Sequence, residues 1–213
     1  MLTLIDKWTS KLKNSNIYSF PGATAQGDVT SDNKEFMDWN NSDTYAAHVE
    51  SKLGSFNTTI PAQAMAIYNY TEDGQDKRNH WQEYAAMLSD IRTVCPLQHL
   101  ADFVSKNFVA DVYSYVATQK RSGKLGGIAD STSDVSAIFG AYQPSNEDEV
   151  SFVKNMQDMF YAFVRDGKLP HGNADLTRGM YAVDKSIVTQ KNYQACDFWQ
   201  RAQDIVPNYG KMD

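Results

Sequence analysis

Asp111-Val112-Tyr113-Ser114-Tyr115-Val116-Ala117-Thr118 is the stretch on which the fold turns. Its apolar and aromatic side chains fall on both alternating faces, as in a strand covered on each side by another layer. Working outward, the periodicity becomes helical. Upstream, between 77 and 92, Trp81, Tyr84, Ala85, Leu88 and Ile91 share one face, and Pro96 opens a helix with Leu97, Leu100, Val104 and Phe108 in register. Downstream, from about 146 to 166, Phe152, Met156, Met159, Phe160 and Phe163 line one side of a long helix. Ser145 with Asp148 three positions on fits a capping pair, and Gly167 with Pro170 stops that helix. The span from 123 to 140, with Gly123, Gly126 and Gly127, reads as a long loop. Farther out, 43–53 and a segment opened by Thr59 and Pro61 read as short helices, 181–188 as a last strand and 196–205 as a closing helix. Leu2, Ile5, Trp8 and Leu12 space an amphipathic helix, and 14–33 reads as loop. Many helices alternating with few strands predict a helix-rich α/β layered fold.

The bulk numbers narrow the function classes. At 213 residues, 42% hydrophobic and 22% charged, the chain has the composition of an ordinary globular protein and is long enough to bury a sizeable core. A formal charge of −6 and a single short basic cluster, Lys120-Arg121 with Lys124, argue against a nucleic-acid partner. No window approaches the length of a membrane-spanning apolar run, so no transmembrane segment is expected. Met1-Leu2-Thr3-Leu4-Ile5-Asp6-Lys7 places charges where a signal peptide would continue its apolar run, so no export signal is visible.

Two cysteines alone leave free thiols and a disulfide equally open. Their surroundings say more: Val94-Cys95-Pro96-Leu97-Gln98, then Gln194-Ala195-Cys196-Asp197-Phe198-Trp199, with the strand at 112–116 between them and Ile138-Phe139-Gly140 further on. Together these resemble the C-terminal part of a type B carboxylesterase, the cholinesterase-like branch of the α/β-hydrolase fold. The resemblance runs over roughly 20 to 205, leaving 1–19 as an N-terminal helix and linker and 206–213 as a tail. It implies the C-terminal portion of an α/β-hydrolase fold, helix-rich with few strands. It also implies a Cys95–Cys196 disulfide closing a loop of roughly 100 residues, worth about 4–5 kcal/mol in the chain-entropy model. A disulfide places the chain outside the cell or in the secretory pathway. Three glycosylation sequons, at Asn40, Asn57 and Asn69, lend modest support to that.

The chemistry for which such esterases are known is largely missing. No Gly-x-Ser-x-Gly nucleophile elbow occurs in these residues. Counted back from Phe139-Gly140, the family's histidine, glycine and acid positions read Ser131, Thr132 and Asp134. A serine hydroxyl cannot take a proton from another hydroxyl and pass it on near neutral pH. A second degenerate position is Gln26, where Ala25-Gln26-Gly27 stands in place of the family's acid followed by glycine. Of the histidines, His48 and His99 fall within expected helices, His80 beside Arg78 and Asn79, and His171 in a Pro-Gly turn. They read as surface or satisfied, with no i, i+3 or i, i+4 pairing in a metal signature. Glu72 to Asp76 lacks the alternating ligands of a calcium loop, and Gly123 to Gly127 lacks the Lys-Ser/Thr of a phosphate loop. The aromatics Trp39, Tyr45, Tyr68, Tyr70, Trp81 and Tyr84 read as core.

No cofactor and no metal are therefore expected, and no catalytic residue is assigned. One or two strands cannot cover the apolar sides of these helices, so the chain is expected to assemble with a second polypeptide supplying the rest of the hydrolase domain, or with copies of itself. The reading is a non-catalytic carboxylesterase-like chain with a binding, adhesion or structural role. The alternative is one processed chain of an active carboxylic-ester hydrolase whose nucleophile lies in a separate polypeptide.

Overall fold

The computed structural model describes residues 22–24, 41–69, 80–107, 112–121, 129, 132–167, 169, 180–190 and 194–202. In chain order the described elements are β1 (Gly22–Thr24), α1 (Ser42–Leu53), α2 (Ile60–Tyr68), α3 (His80–Ser89), a π-helical turn (Asp90–Val94), α4 (Cys95–Asn107), β2 (Ser114–Ala117), α5 (Ser133–Ile138), α6 (Glu147–Asp166), β3 (Met180–Val183), β4 (Ile187–Gln190) and α7 (Gln194–Arg201). The expected N-terminal helix of residues 2–13 lies outside the described residues. The chain divides into two compact units, each assembled from separated stretches of sequence.

One unit takes 1–23, 97–117 and 134–192, and holds most of the sheet. Strand order is β1-β2-β3-β4. β2 lies parallel to β3 with Tyr115 opposite Tyr181, and β3 turns back on β4 with Val183 opposite Ile187. All four β2 residues are buried, as their two-faced apolarity requires. α6 lays Phe152, Met156 and Met159 into a core shared with Tyr115, Ala137 and Val183. Phe160 and Phe163, expected on the same stripe, are only partly buried, because the apolar face of α6 is wider than the surface that covers it.

Four expectations are corrected in this unit. The strand at 181–188 is a hairpin, since Asp184 Oδ1 accepts from the Ser186 amide (2.7 Å) and closes a turn in its middle. The 123–140 loop contains α5, which is short enough for its glycine-rich approach to hide it. The 14–33 loop contains β1, three residues that pair only because a strand edge is beside them. The α6 cap is shifted by one residue: Asn146 Oδ1 accepts from the Glu149 amide (2.9 Å), and the Glu149 carboxylate accepts from the Ser145 amide (2.8 Å). Asn146 and Glu149 keep the three-residue spacing that lets each side chain reach the other's stretch of backbone. At the far end Gly167, with φ 66°, closes α6 in the left-handed region.

The other unit takes 24–96, 118–133 and 193–213. Here α3 is buried nearly all round, Trp81 and Glu83 through Ser89 included, where one buried face was expected. A helix surrounded on several sides has no solvent stripe to reveal its orientation. α3 does not end before Pro96 but runs through the π-helical turn into α4, the Cys95 amide donating to the Asp90 carbonyl. The wide turn absorbs the donor that proline lacks. Within the portion of α4 assigned to the first unit, the expected stripe is not buried: Ala101 is inside, but Leu100 is 49% exposed. Phe108 lies outside the described residues.

Candidate functional site

Three residues are those that the resemblance sets against the family's triad. Ser131 and Gln26 lie outside the described residues. Asp134 is described and buried, in the first turn of α5. Its Oδ2 accepts from the Tyr115 hydroxyl of β2 (2.9 Å) and its Oδ1 from the Val135 amide (2.7 Å). Oδ2 thus joins α5 to the sheet, and Oδ1 is held by the backbone of α5 itself. Burial, then the Asp134 charge and the hydrogen bond to it, push the Tyr115 phenol far above its ordinary range. Tyr181 next to it in the sheet is also raised, by burial and then by Tyr113.

Cys95 and Cys196 form a disulfide, Cα atoms 5.1 Å apart, that ties the start of α4 to α7. A buried polar chain accompanies it. Trp199 Nε1 on α7 donates to the Tyr68 hydroxyl (2.8 Å), which donates in turn to Asp90 Oδ2 (2.7 Å) in the π-helical turn. Of the sequons, Asn57 and Asn69 are exposed and Asn40 lies outside the described residues. Asn57 Oδ1 accepts from both the amide (2.9 Å) and the hydroxyl (3.0 Å) of Thr59.

A third group of residues was not anticipated. His80, the first residue of α3, lies between a hydroxyl and a carboxylate: its Nε2 is 2.9 Å from Ser42 Oγ and its Nδ1 is 3.0 Å from Glu83 Oε2. Ser42 is exposed, His80 is 17% exposed and Glu83 only 1%. The Tyr45 ring stacks on the imidazole, centroids 4.7 Å apart and planes 12° apart. Burial, then Glu83, then Tyr84 push the Tyr45 phenol far above its ordinary range. His80 and Glu83 are three apart on one helix face, a local histidine–carboxylate pair that is not a metal signature. The i, i+3 spacing was a signal available in the sequence; the approach of Ser42, 38 positions away, was not. Of the other histidines, His48 packs edge-on against Tyr84 and its Nε2 meets the Tyr84 hydroxyl at 3.1 Å, His99 is exposed, and His171 lies outside the described residues.

A mixed sheet with a parallel β2–β3 step bridged by α5 and α6 is a layered α/β arrangement. The carboxylesterase family model matches residues 13–203, and the chain belongs to that family. It is 27% identical over 209 residues to neurotactin of Drosophila melanogaster, covering 98% of this chain and 22% of that protein. Among solved structures it is similar to a PNB esterase, with a TM-score of 0.57 and 16% identity over 92% of this chain and 40% of that one. A similar likeness holds to the juvenile hormone esterase of Manduca sexta, with a TM-score of 0.54 and 11% identity over 95% of this chain and 43% of that one. These structural likenesses establish the fold. The chain spans 22% of its curated relative and 40–43% of those structures. No helix among the described residues is long and apolar enough to cross a membrane.

Proposed function

We propose that this chain serves a binding, adhesion or structural role in place of the family's ester hydrolysis, outside the cell or in the secretory pathway, with residues 20–205 as the working region and 1–19 and 206–213 as its flanks. One observation carries the reading. The imidazole position of the family pattern holds Ser131 in a sequence without a nucleophile elbow, and the neighbouring acid, Asp134, has both oxygens engaged structurally. Gln26 in the acid's place accords with it.

Assembly follows from what is left uncovered. Val135 and Phe139 of the α5 region are 54% and 70% exposed, and Tyr161 and Val164 of α6 are 55% and 66% exposed. A hydrolase domain more than twice this size has further layers for such side chains, and a second polypeptide supplying them, or a second copy of this chain, is the partner we propose. Secretion is supported by the disulfide and by the exposed sequons at Asn57 and Asn69, with Asn40 as a third acceptor.

Sedimentation velocity of the purified chain tests the second copy: self-association is expected if a copy is the partner, and a monomer across micromolar concentrations removes that copy and leaves the second polypeptide. Ester hydrolysis tests the rest. Ser131→His is expected to leave the rate at the parent's level, and a variant that gains turnover shows the family's site to be intact but for one residue.

A further inference from the structure

Lys120-Arg121 opens the basic cluster of a chain whose formal charge is −6, and one other Lys-Arg pair, Lys77-Arg78, occurs in the sequence. The pair at 120–121 follows β2 closely. All four residues of β2 are buried, and from Thr118 to Arg121 the chain leaves the sheet without regular secondary structure, with Lys120 exposed and Thr118, Gln119 and Arg121 half-buried. The Gln119 side chain donates to the Lys120 carbonyl (3.0 Å), an exposed contact between neighbours along the chain. An endoprotease takes its substrate as an extended strand running several residues to each side of the cut, so exposed coil fits its cleft and helical backbone does not. The pair at 77–78 fails on that ground. His80, two positions beyond Arg78, is the first residue of α3, its ring stacked on Tyr45 and its Nδ1 3.0 Å from Glu83 Oε2. Drawing it into an extended cleft would undo that packing. Lysine followed by arginine presents two cations to adjacent carboxylate-lined pockets, and the guanidinium adds bidentate hydrogen bonding that an ammonium lacks.

Resting on the secretory reading above, we propose that Lys120-Arg121 is a processing site for a secretory-pathway endoprotease of paired-basic specificity, which cuts after Arg121 and converts the chain to a disulfide-linked two-chain form. Water adds across the peptide bond that follows Arg121. Its oxygen ends on the new Arg121 carboxylate, the C–N bond breaks, and Ser122 leaves with a free amino group. The place of the cut relative to the cysteines gives it its consequence. Position 121 lies between Cys95 and Cys196, so fragments 1–121 and 122–213 stay joined through the two sulfurs. Contacts within the fold also tie the two fragments. β2 of the first pairs with β3 of the second, and the Tyr115 hydroxyl of the first donates to Asp134 of the second. Trp199 of the second donates to Tyr68 of the first beside the bridge. Before the cut the bridge closes a loop; after it, the bridge is the covalent link that keeps the two halves at one another's side, and reduction makes their association bimolecular.

The test uses the whole oxidised chain and a purified kexin-type protease. The expected result is one cut, in a product that runs as a single species without reductant and as two with it, the second fragment beginning Ser122-Gly123-Lys124 by N-terminal sequencing. Circular dichroism is expected to be unchanged by the cut. Arg121→Ala is expected to slow the cut by roughly 100-fold or more, Lys120→Ala by less, and Lys77→Ala not at all, each with the parent's circular dichroism. A folded chain that resists the protease, a first cut after Arg78, a cut that Arg121→Ala does not slow, or fragments that part without reductant overturns the proposal. Expression in secreting eukaryotic cells separates this inference from the reading beneath it, and a glycosylated two-chain product is expected there. Chain that carries glycan at Asn57 or Asn69 and is intact after Arg121 leaves secretion standing and removes the processing site. Chain without glycan and with free thiols removes both.

Discussion

Tyr68 meets two buried demands with one hydroxyl, accepting from Trp199 and donating to Asp90. Tyr68→Phe removes a partner from each, and buried polar groups that lose a bond cost about 1–3 kcal/mol apiece, so a loss of about 2–6 kcal/mol is expected in urea denaturation. The Tyr115 hydroxyl donates to Asp134 Oδ2, and Tyr115→Phe is expected to lose about 1–3 kcal/mol at pH 7. Its alkaline behaviour gives a second readout. The phenol's folded pKa lies above its unfolded value near 10, so the neutral form is favoured on folding. That contribution is fully present below about pH 10 and is lost as pH rises from there toward the folded value. Denaturation midpoints compared at pH 8 and pH 11 are expected to fall less for Tyr115→Phe than for the parent. Tyr45 and Tyr181 are raised in the same direction and contribute to the fall that remains.

α6 shows how far an element is written in its own residues. Phe152, Met156 and Met159 recur at the helical period, and they are the side chains that reach the core. The ends are local too. Asn146→Ala removes the acceptor for the Glu149 amide and is expected to cost about 1 kcal/mol. Gly167→Ala places a Cβ in a left-handed backbone and is expected to cost about 1–2 kcal/mol. Thermal unfolding of the two variants and their combination checks both, with near-additive losses because the two sites are 21 positions apart on one helix. The Asn146–Glu149 box was missed by one residue because Ser145 and Asn146 are both good cap residues, and the choice between them rests on backbone dihedrals. α5 and β1 were missed for another reason: six and three residues are too few to show a period. The π-helical turn through Asp90–Val94 has no sequence signature, and Pro96 reads as a helix start although the chain continues through it.

For the molecule, the Cys95–Cys196 bridge is the longest-range covalent constraint, joining positions 101 apart. Replacing both cysteines with alanine, or reducing the bridge, is expected to cost about 2–5 kcal/mol, read as a lower urea midpoint under reducing conditions. Equal midpoints with and without reductant would remove the bridge from the account of stability. The loss should be felt first in α7, where Trp199 is fully buried against Tyr68 one residue group from the bridge.

Much of the candidate chemistry divides along the same line. The helical stripe of α6 is a property of residue order, readable because it depends on spacing within one short segment. His80 and Glu83 share that locality, three positions apart on one helix face. Ser42 joins them only once α1 and α3 are packed start to start, and Asp134 becomes a tie to β2 only once Tyr115 is turned toward it. By itself, then, the sequence determined the family, the long helix, the two-faced strand and the pair of cysteines. The tertiary structure alone decided which hydroxyl meets which imidazole and which carboxylate is spent on the sheet. A period repeats among neighbours along the chain, whereas a hydrogen bond across elements needs distance and direction that only packing of distant segments can set.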